Sequence, residues 1–156
     1  MIMQVNDTFK EFELLNQDEK IIKSSELKGT PFILFAYPRA STPGCTKEVC
    51  SVRDHYQEIL DKGFKAFGIS NDKPAKNKKF AEKYNLQYDL LCDIDSSFLE
   101  SIGSYGEKKI YGKTSMGTFR YTFIVDKDYK VRKIFKKVKT DIHAEEILSA
   151  IEDLGL

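Results

Sequence analysis

Tyr37-Pro38-Arg39-Ala40-Ser41-Thr42-Pro43-Gly44-Cys45-Thr46-Lys47-Glu48-Val49-Cys50 joins an apolar run, Pro31 to Tyr37, to a segment of helical periodicity. From Cys45 onward the apolar residues fall at Val49, Val52, Tyr56, Ile59 and Leu60. That 4-3-4-3 spacing is the pattern of an amphipathic helix. Pro43 suits a first-turn position, where its missing N–H would be unpaired anyway. Thr42 suits the N-cap. The stretch predicts a strand over 31–37 and a helix over 43–61.

Cys45 therefore sits where unpaired backbone N–H groups and the positive end of the helix dipole converge, and both favour a thiolate over a thiol. A buried, inert cysteine is the common alternative, but burial alone explains neither the hydroxyl of Thr42 nor the second thiol at Cys50. On an intact helix Cys50 lies about 140° around the axis from Cys45 and roughly 8–9 Å away between Cα atoms. A disulfide needs Cα atoms closer than about 7 Å. Cys50 falls on the polar side, with Lys47, Arg53, Asp54, Gln57 and Asp61. Either the two thiols never pair, or the first turns unwind when they do.

A chain of 156 residues is expected to form a single domain, 1–156, with its own core. Lys and Arg number 25 against 24 Asp and Glu, so neither nucleic acid nor an anionic membrane is indicated as a partner. No apolar run approaches a membrane span, and Met1 to Asp7 lacks the regions of a signal peptide. The cytoplasm is the expected location. Three cysteines make no disulfide framework and point to redox or catalytic use. His55 and His143 are too far apart, and too few with the cysteines, for a metal site. Gly106 to Thr114 resembles a phosphate-binding loop, but its spacing is wrong and no strand leads in, so nucleotide binding is rejected.

Along the rest of the chain, Phe9 to Ile22 reads as a hairpin around Asn16-Gln17-Asp18, and Ser24 to Gly29 as a short helical turn. Further strands are expected at 64–70, 90–92, 119–125 and 130–138, the last two around the turn Asp126 to Tyr129. Further helices are expected at 74–84, 96–102 and 142–153, the last capped by Thr140 or Asp141. Gly103 to Gly117 reads as a long glycine-rich segment. The order implies an α/β fold with a central mixed sheet covered on both faces and an N-terminal β-hairpin. Strands 31–37 and 64–70 should be joined by a right-handed parallel crossover. Cys45 then lies just beyond the C-terminal end of a central strand, where open α/β sheets place their sites.

Pro38-x-x-x-Thr42-x-x-Cys45 resembles the active-site pattern of the peroxiredoxins. The Cys45–Cys50 spacing, with Thr42 to Thr46 and Glu48, is similar to the bacterioferritin comigratory protein or peroxiredoxin Q subgroup. The likeness continues through Gly68-Ile69-Ser70, Asp72, Phe80 to Tyr84, Leu90 to Asp93, Gly106 to Lys109, Tyr111 to Thr114, Arg120 to Asp126 and Ala144 to Leu148. It implies a thioredoxin-like fold and the reduction of hydrogen peroxide and organic hydroperoxides by a cysteine, without metal or other cofactor. By position, Cys45 matches the peroxidatic cysteine, Thr42 its hydroxyl partner, Pro38 the residue walling the pocket and Arg120 the arginine near the sulfur. Cys50 matches the resolving cysteine, which would condense with a Cys45 sulfenic acid into an intramolecular disulfide. A thioredoxin-type dithiol would then reduce that disulfide. Asn77, Tyr105 and Tyr129 depart from the subgroup, which bears on substrate preference and surface contacts.

On chemical grounds Arg120 suits a site that must stabilise a thiolate and a departing oxyanion. Glu48, on a flank of the helix, either orders a cation such as Arg120 or is a plain surface residue. Cys92, in an apolar strand without a suitable polar neighbour, reads as core packing. Two other functions fit the cysteines less well. A thioredoxin-type oxidoreductase needs two, not four, residues between its thiols. A non-enzymatic redox sensor or holdase could use the same pair.

Overall fold

The computed structural model describes residues 2–156; Met1 lies outside them. In chain order the strands are β1 Glu13–Leu15, β2 Ile21–Lys23, β3 Phe32–Ala36, β4 Lys65–Ser70, β5 Asp89–Cys92, β6 Tyr105–Ile110, β7 Lys113–Thr118, β8 Thr122–Val125 and β9 Val131–Phe135. The helices are α1 Pro43–Asp54, α2 Tyr56–Asp61, α3 Pro74–Lys83, α4 Ser97–Ser101 and α5 His143–Asp153, with a 3-10 turn at Ser24–Leu27. Seven strands form one sheet in the order β2-β1-β5-β4-β3-β8-β9. Within it β3, β4 and β5 run parallel, while β8 pairs antiparallel with β3 and β9.

Every residue of β3 is buried because the strand is covered on both faces. Phe32, Leu34 and Ala36 face a core with Phe9, Phe98, Leu99 and Phe123. Ile33, Phe35 and Tyr37 face a second core with Cys45, Val49 and Val52 of α1, Phe80 of α3, and Ile147 and Ile151 of α5. This two-sided burial is why the run reads as continuously apolar rather than alternating. Helix α1, which carries Cys45, thus starts on the second face, in the connection that follows the central strand. Among the described residues no helix is long and apolar enough to cross a membrane.

Four expectations need correction. The helix over 43–61 breaks at His55 (φ −115°, ψ 11°) into α1 and α2. The turn tightens at the joint, where the His55 N–H donates to the Val52 carbonyl three residues back at 3.2 Å, and the His55 ring lies 2.9 Å from Glu58 of α2 and 3.6 Å from Glu145 of α5. The apolar spacing runs on through the joint, so periodicity alone conceals it. The segment 103–117 is a hairpin, β6 paired with β7. Its turn, Tyr111-Gly112, has positive φ at both residues (53° and 77°), as a type I′ turn requires. The last helix takes Ile142 at its N-cap, not Thr140 or Asp141. Arg120 lies in the link between β7 and β8, because β8 begins only at Thr122.

Asn77 and Tyr129 are core residues, not surface ones. Tyr129 holds φ at +67° in the turn before β9, a conformation that favours glycine. Its ring packs edge-on to Phe9 and tilted on Phe32, so aromatic burial offsets the backbone cost.

Candidate active site

Cys45 occupies the third position of α1 and is fully buried. The N-cap is Thr42, with extended backbone, and its carbonyl accepts the Thr46 N–H at 2.9 Å. Its hydroxyl does not cap the helix but donates to the Arg39 carbonyl at 2.8 Å. Pro38 follows directly on the buried Tyr37 and is half-buried. The loop between is pinned from the neighbouring strand end: Ala40 N–H donates to Asp72 Oδ2 at 2.7 Å, and the Ser70 hydroxyl donates to the same oxygen at 3.0 Å.

Arg120 comes to the thiol from 75 residues away. Its Nη2 stands 3.3 Å from Cys45 Sγ, and its Nη1 donates to Glu48 Oε1 at 2.8 Å. Gly44 makes room for it: a Cβ there would lie 3.3 Å from Nη2. Burial works against the guanidinium charge, but Glu48 and Cys45 more than offset it and raise the Arg120 pKa. Lys108 of β6 is a second cation nearby. It lies over the Phe119 ring, 5.7 Å from the centroid, and burial followed by the Arg120 charge lowers its pKa while Cys45 raises it.

Glu48 is not a surface residue. It is fully buried, one turn beyond Cys45. Burial pushes its carboxyl up from 4.5 to about 7, against the pull of Arg120. Its Oε2 has no hydrogen-bond partner, and His143 Nε2 stands 3.7 Å from it. His143, read from sequence only as an unfit metal ligand, is fully buried beside the site with its Nε2 2.7 Å from Thr122 Oγ1. Burial, then Arg120, lowers its pKa from 6.5 to about 4. The sequence signals for Glu48 were its place in the motif that carries the resemblance and its spacing three residues after Cys45, which sets both on neighbouring faces of one helix. Nothing local marked His143.

The other two thiols are set differently, and all three cysteines are free. Cys50 is half-buried and packs partly against the second core, so its side of the helix is less polar than expected. Burial raises its pKa. Cys92 is buried at the end of β5, but it does have a polar neighbour: Asn77 Nδ2 donates to its sulfur at 3.2 Å. Asn77 in turn accepts the Tyr37 hydroxyl proton at 2.6 Å. Burial raises the Cys92 pKa as well. Among the described residues no three His, Cys, Asp or Glu side chains converge as a metal-ligand set.

A sequence profile described as the AhpC/TSA family matches residues 5–134. The chain belongs to that family, as a peroxiredoxin. It is 36% identical to peroxiredoxin Bcp of Escherichia coli (strain K12) over 151 residues, 97% of each chain. The crystal structure of peroxidoxin BcpB from Mycobacterium tuberculosis, 35% identical over 97% of each chain, superposes with a TM-score of 0.85. The bacterioferritin comigratory protein of Xanthomonas campestris, described for its alkyl peroxide reduction activity, superposes at 0.87 with 27% identity, covering 94% of this chain and 92% of that one. The mixed seven-stranded sheet flanked by helices is therefore the thioredoxin-like fold of this peroxiredoxin, and the enzyme is a peroxidase, an oxidoreductase that reduces peroxides.

Proposed function

We propose that Cys45 is the peroxidatic thiol for hydrogen peroxide and organic hydroperoxides. The observation that carries this is the 3.3 Å approach of Arg120 Nη2 to Cys45 Sγ at the start of α1. The thiolate attacks one oxygen of the O–O bond and expels the other as hydroxide or alkoxide, which takes up a proton to leave as water or alcohol. The sulfur is left as a sulfenic acid. Arg120 supports the thiolate and the charge growing on the departing oxygen. The Thr42 hydroxyl donates to the Arg39 carbonyl, so toward the substrate it presents its lone pairs and accepts from the hydroperoxide O–H. Pro38 walls the pocket.

Cys50 then condenses with the sulfenic acid, releasing water and forming the Cys45–Cys50 disulfide. A dithiol protein of thioredoxin type returns both thiols and is itself oxidised. The helical positions of the two cysteines require α1 to open between these steps.

Hydrogen peroxide and an alkyl hydroperoxide, each assayed with thioredoxin and thioredoxin reductase, test this reading. Cys45→Ser should abolish turnover. Cys50→Ser should consume one equivalent and stall as a sulfenic acid visible by mass spectrometry. Cys92→Ser should turn over as the unsubstituted enzyme does. A Cys92 variant as inactive as the Cys45 variant would overturn these roles.

A further inference from the structure

His143 is buried beside the peroxidatic site, yet no step of the thiol chemistry uses it. Its Nε2 lies between two groups, 2.7 Å from Thr122 Oγ1 and 3.7 Å from Glu48 Oε2. Its Nδ1 is 3.5 Å from Glu146 Oε1, on the same helix and partly exposed. Glu48 Oε2 is a buried oxygen without a hydrogen bond, which is costly when it carries charge. Glu48 and Cys45 share one guanidinium. Resting on the reading of Cys45 as the peroxidatic thiol, we propose that His143 is a positioning residue: held by Thr122 against Glu48 Oε2, it sets whether Glu48 carries its charge, and so how much of Arg120 is left for Cys45.

The physical reason lies in the tautomer. When the Thr122 hydroxyl donates to Nε2, the ring proton sits on Nδ1 and points toward Glu146. Nε2 then has no proton to offer Glu48 Oε2, so a carboxylate there is left without a donor and the neutral acid is favoured. With Glu48 neutral, Arg120 has Cys45 as its one anionic partner. With Glu48 ionised, the guanidinium is divided between the two. The groups around Glu48 are Arg120 from the β7–β8 link, His143 from α5 and Tyr88 from the segment before β5, with Cys45 on the same guanidinium and Glu146 on the far side of the His143 ring. Burial raises Glu48 to about 7 and lowers His143 to about 4, so at neutral pH the ring is neutral and the carboxyl is poised.

Stopped-flow rates of Cys45 oxidation against pH, with the Glu48 side-chain carbon followed by NMR, test the proposal. The unsubstituted enzyme should show an inflection near 7 that Glu48→Gln removes. In His143→Gln an amide N–H can donate to Oε2 and stabilise the carboxylate. Both the inflection and the Glu48 titration should then move down by on the order of one pH unit. Thr122→Val, which frees Nε2 without removing the ring, should displace the Glu48 titration too. Folded His143→Gln and Thr122→Val proteins whose profiles superpose on the parent would overturn the proposal. If neither variant folds, the parent decides: titration of Glu48 coupled to the His143 ring nitrogens supports it, and independent titration refutes it. Cys45→Ser separates the two readings. Activity surviving in that variant defeats the peroxidatic assignment, whereas an inactive Cys45→Ser with unmoved His143→Gln profiles defeats only the role of His143.

Discussion

The Tyr88 hydroxyl donates to the Val49 carbonyl oxygen at 2.6 Å, with both residues buried. This bond ties the middle of α1, between Cys45 and Cys50, to the segment entering β5. If α1 opens for Cys45 to meet Cys50, as proposed, this bond must break. Tyr88→Phe leaves the ring in the core and removes only this bond, a change of about 1 kcal/mol. The open population of α1, and with it the rate of disulfide formation after one oxidation, should rise about fivefold. Quenched-flow alkylation followed by mass spectrometry measures that rate. An unchanged rate would show that opening is held elsewhere.

A second tie gives a reporter outside the helix. Ala144 N–H, in the first turn of α5, donates to Ser51 Oγ at 3.0 Å. An amide at that position has no partner within its own helix. If the disulfide melts the segment Thr46 to Ser51, the Ala144 amide should lose its protection along with that segment. Amide hydrogen exchange on the reduced and disulfide forms reads both. Equal protection in the two forms would rule out the opening of α1.

Arg120→Ala removes the guanidinium from Cys45 and Glu48 together. Oxidation of Cys45 by peroxide at neutral pH should slow by about tenfold or more, the loss of one charge-assisted hydrogen bond to the reacting sulfur. Arg120→Lys should recover only part of the loss, since an ammonium cannot hold sulfur and carboxylate with two fixed nitrogens. Stopped-flow oxidation checks both.

Glu48 and His143 pull stability in opposite directions with pH. The folded state holds the Glu48 proton more tightly than the unfolded chain, so this contribution falls as pH rises from 4.5 to about 7. The unfolded chain takes up a His143 proton that the folded state refuses, so that contribution rises between about 4 and 6.5. The two slopes oppose each other where they overlap. Glu48→Gln should expose the His143 slope, with urea midpoints that climb with pH through that window more steeply than in the parent. Parallel curves would contradict the assignment.

The sequence by itself determined what rests on neighbours in the chain. The strand at 32–36 is legible because β3 is apolar on both faces. The start of α1 is legible because Thr42, Pro43 and the apolar spacing from Cys45 agree. The place of Cys45 at a helix start follows from those two, and Arg120 was named through the resemblance. The hairpin β6–β7 was not legible, because its turn places a tyrosine at positive φ and its largely exposed residues carry no apolar alternation. The break at His55 was hidden because the apolar spacing runs across it.

Only the tertiary structure decided that Glu48 is buried, that one guanidinium serves both it and Cys45, and that His143 faces its second oxygen. These contacts join α1 to a loop 72 residues away and to the first residue of α5. No local propensity records them, because the energy of a charge depends on what surrounds it after folding rather than on what precedes it in the chain.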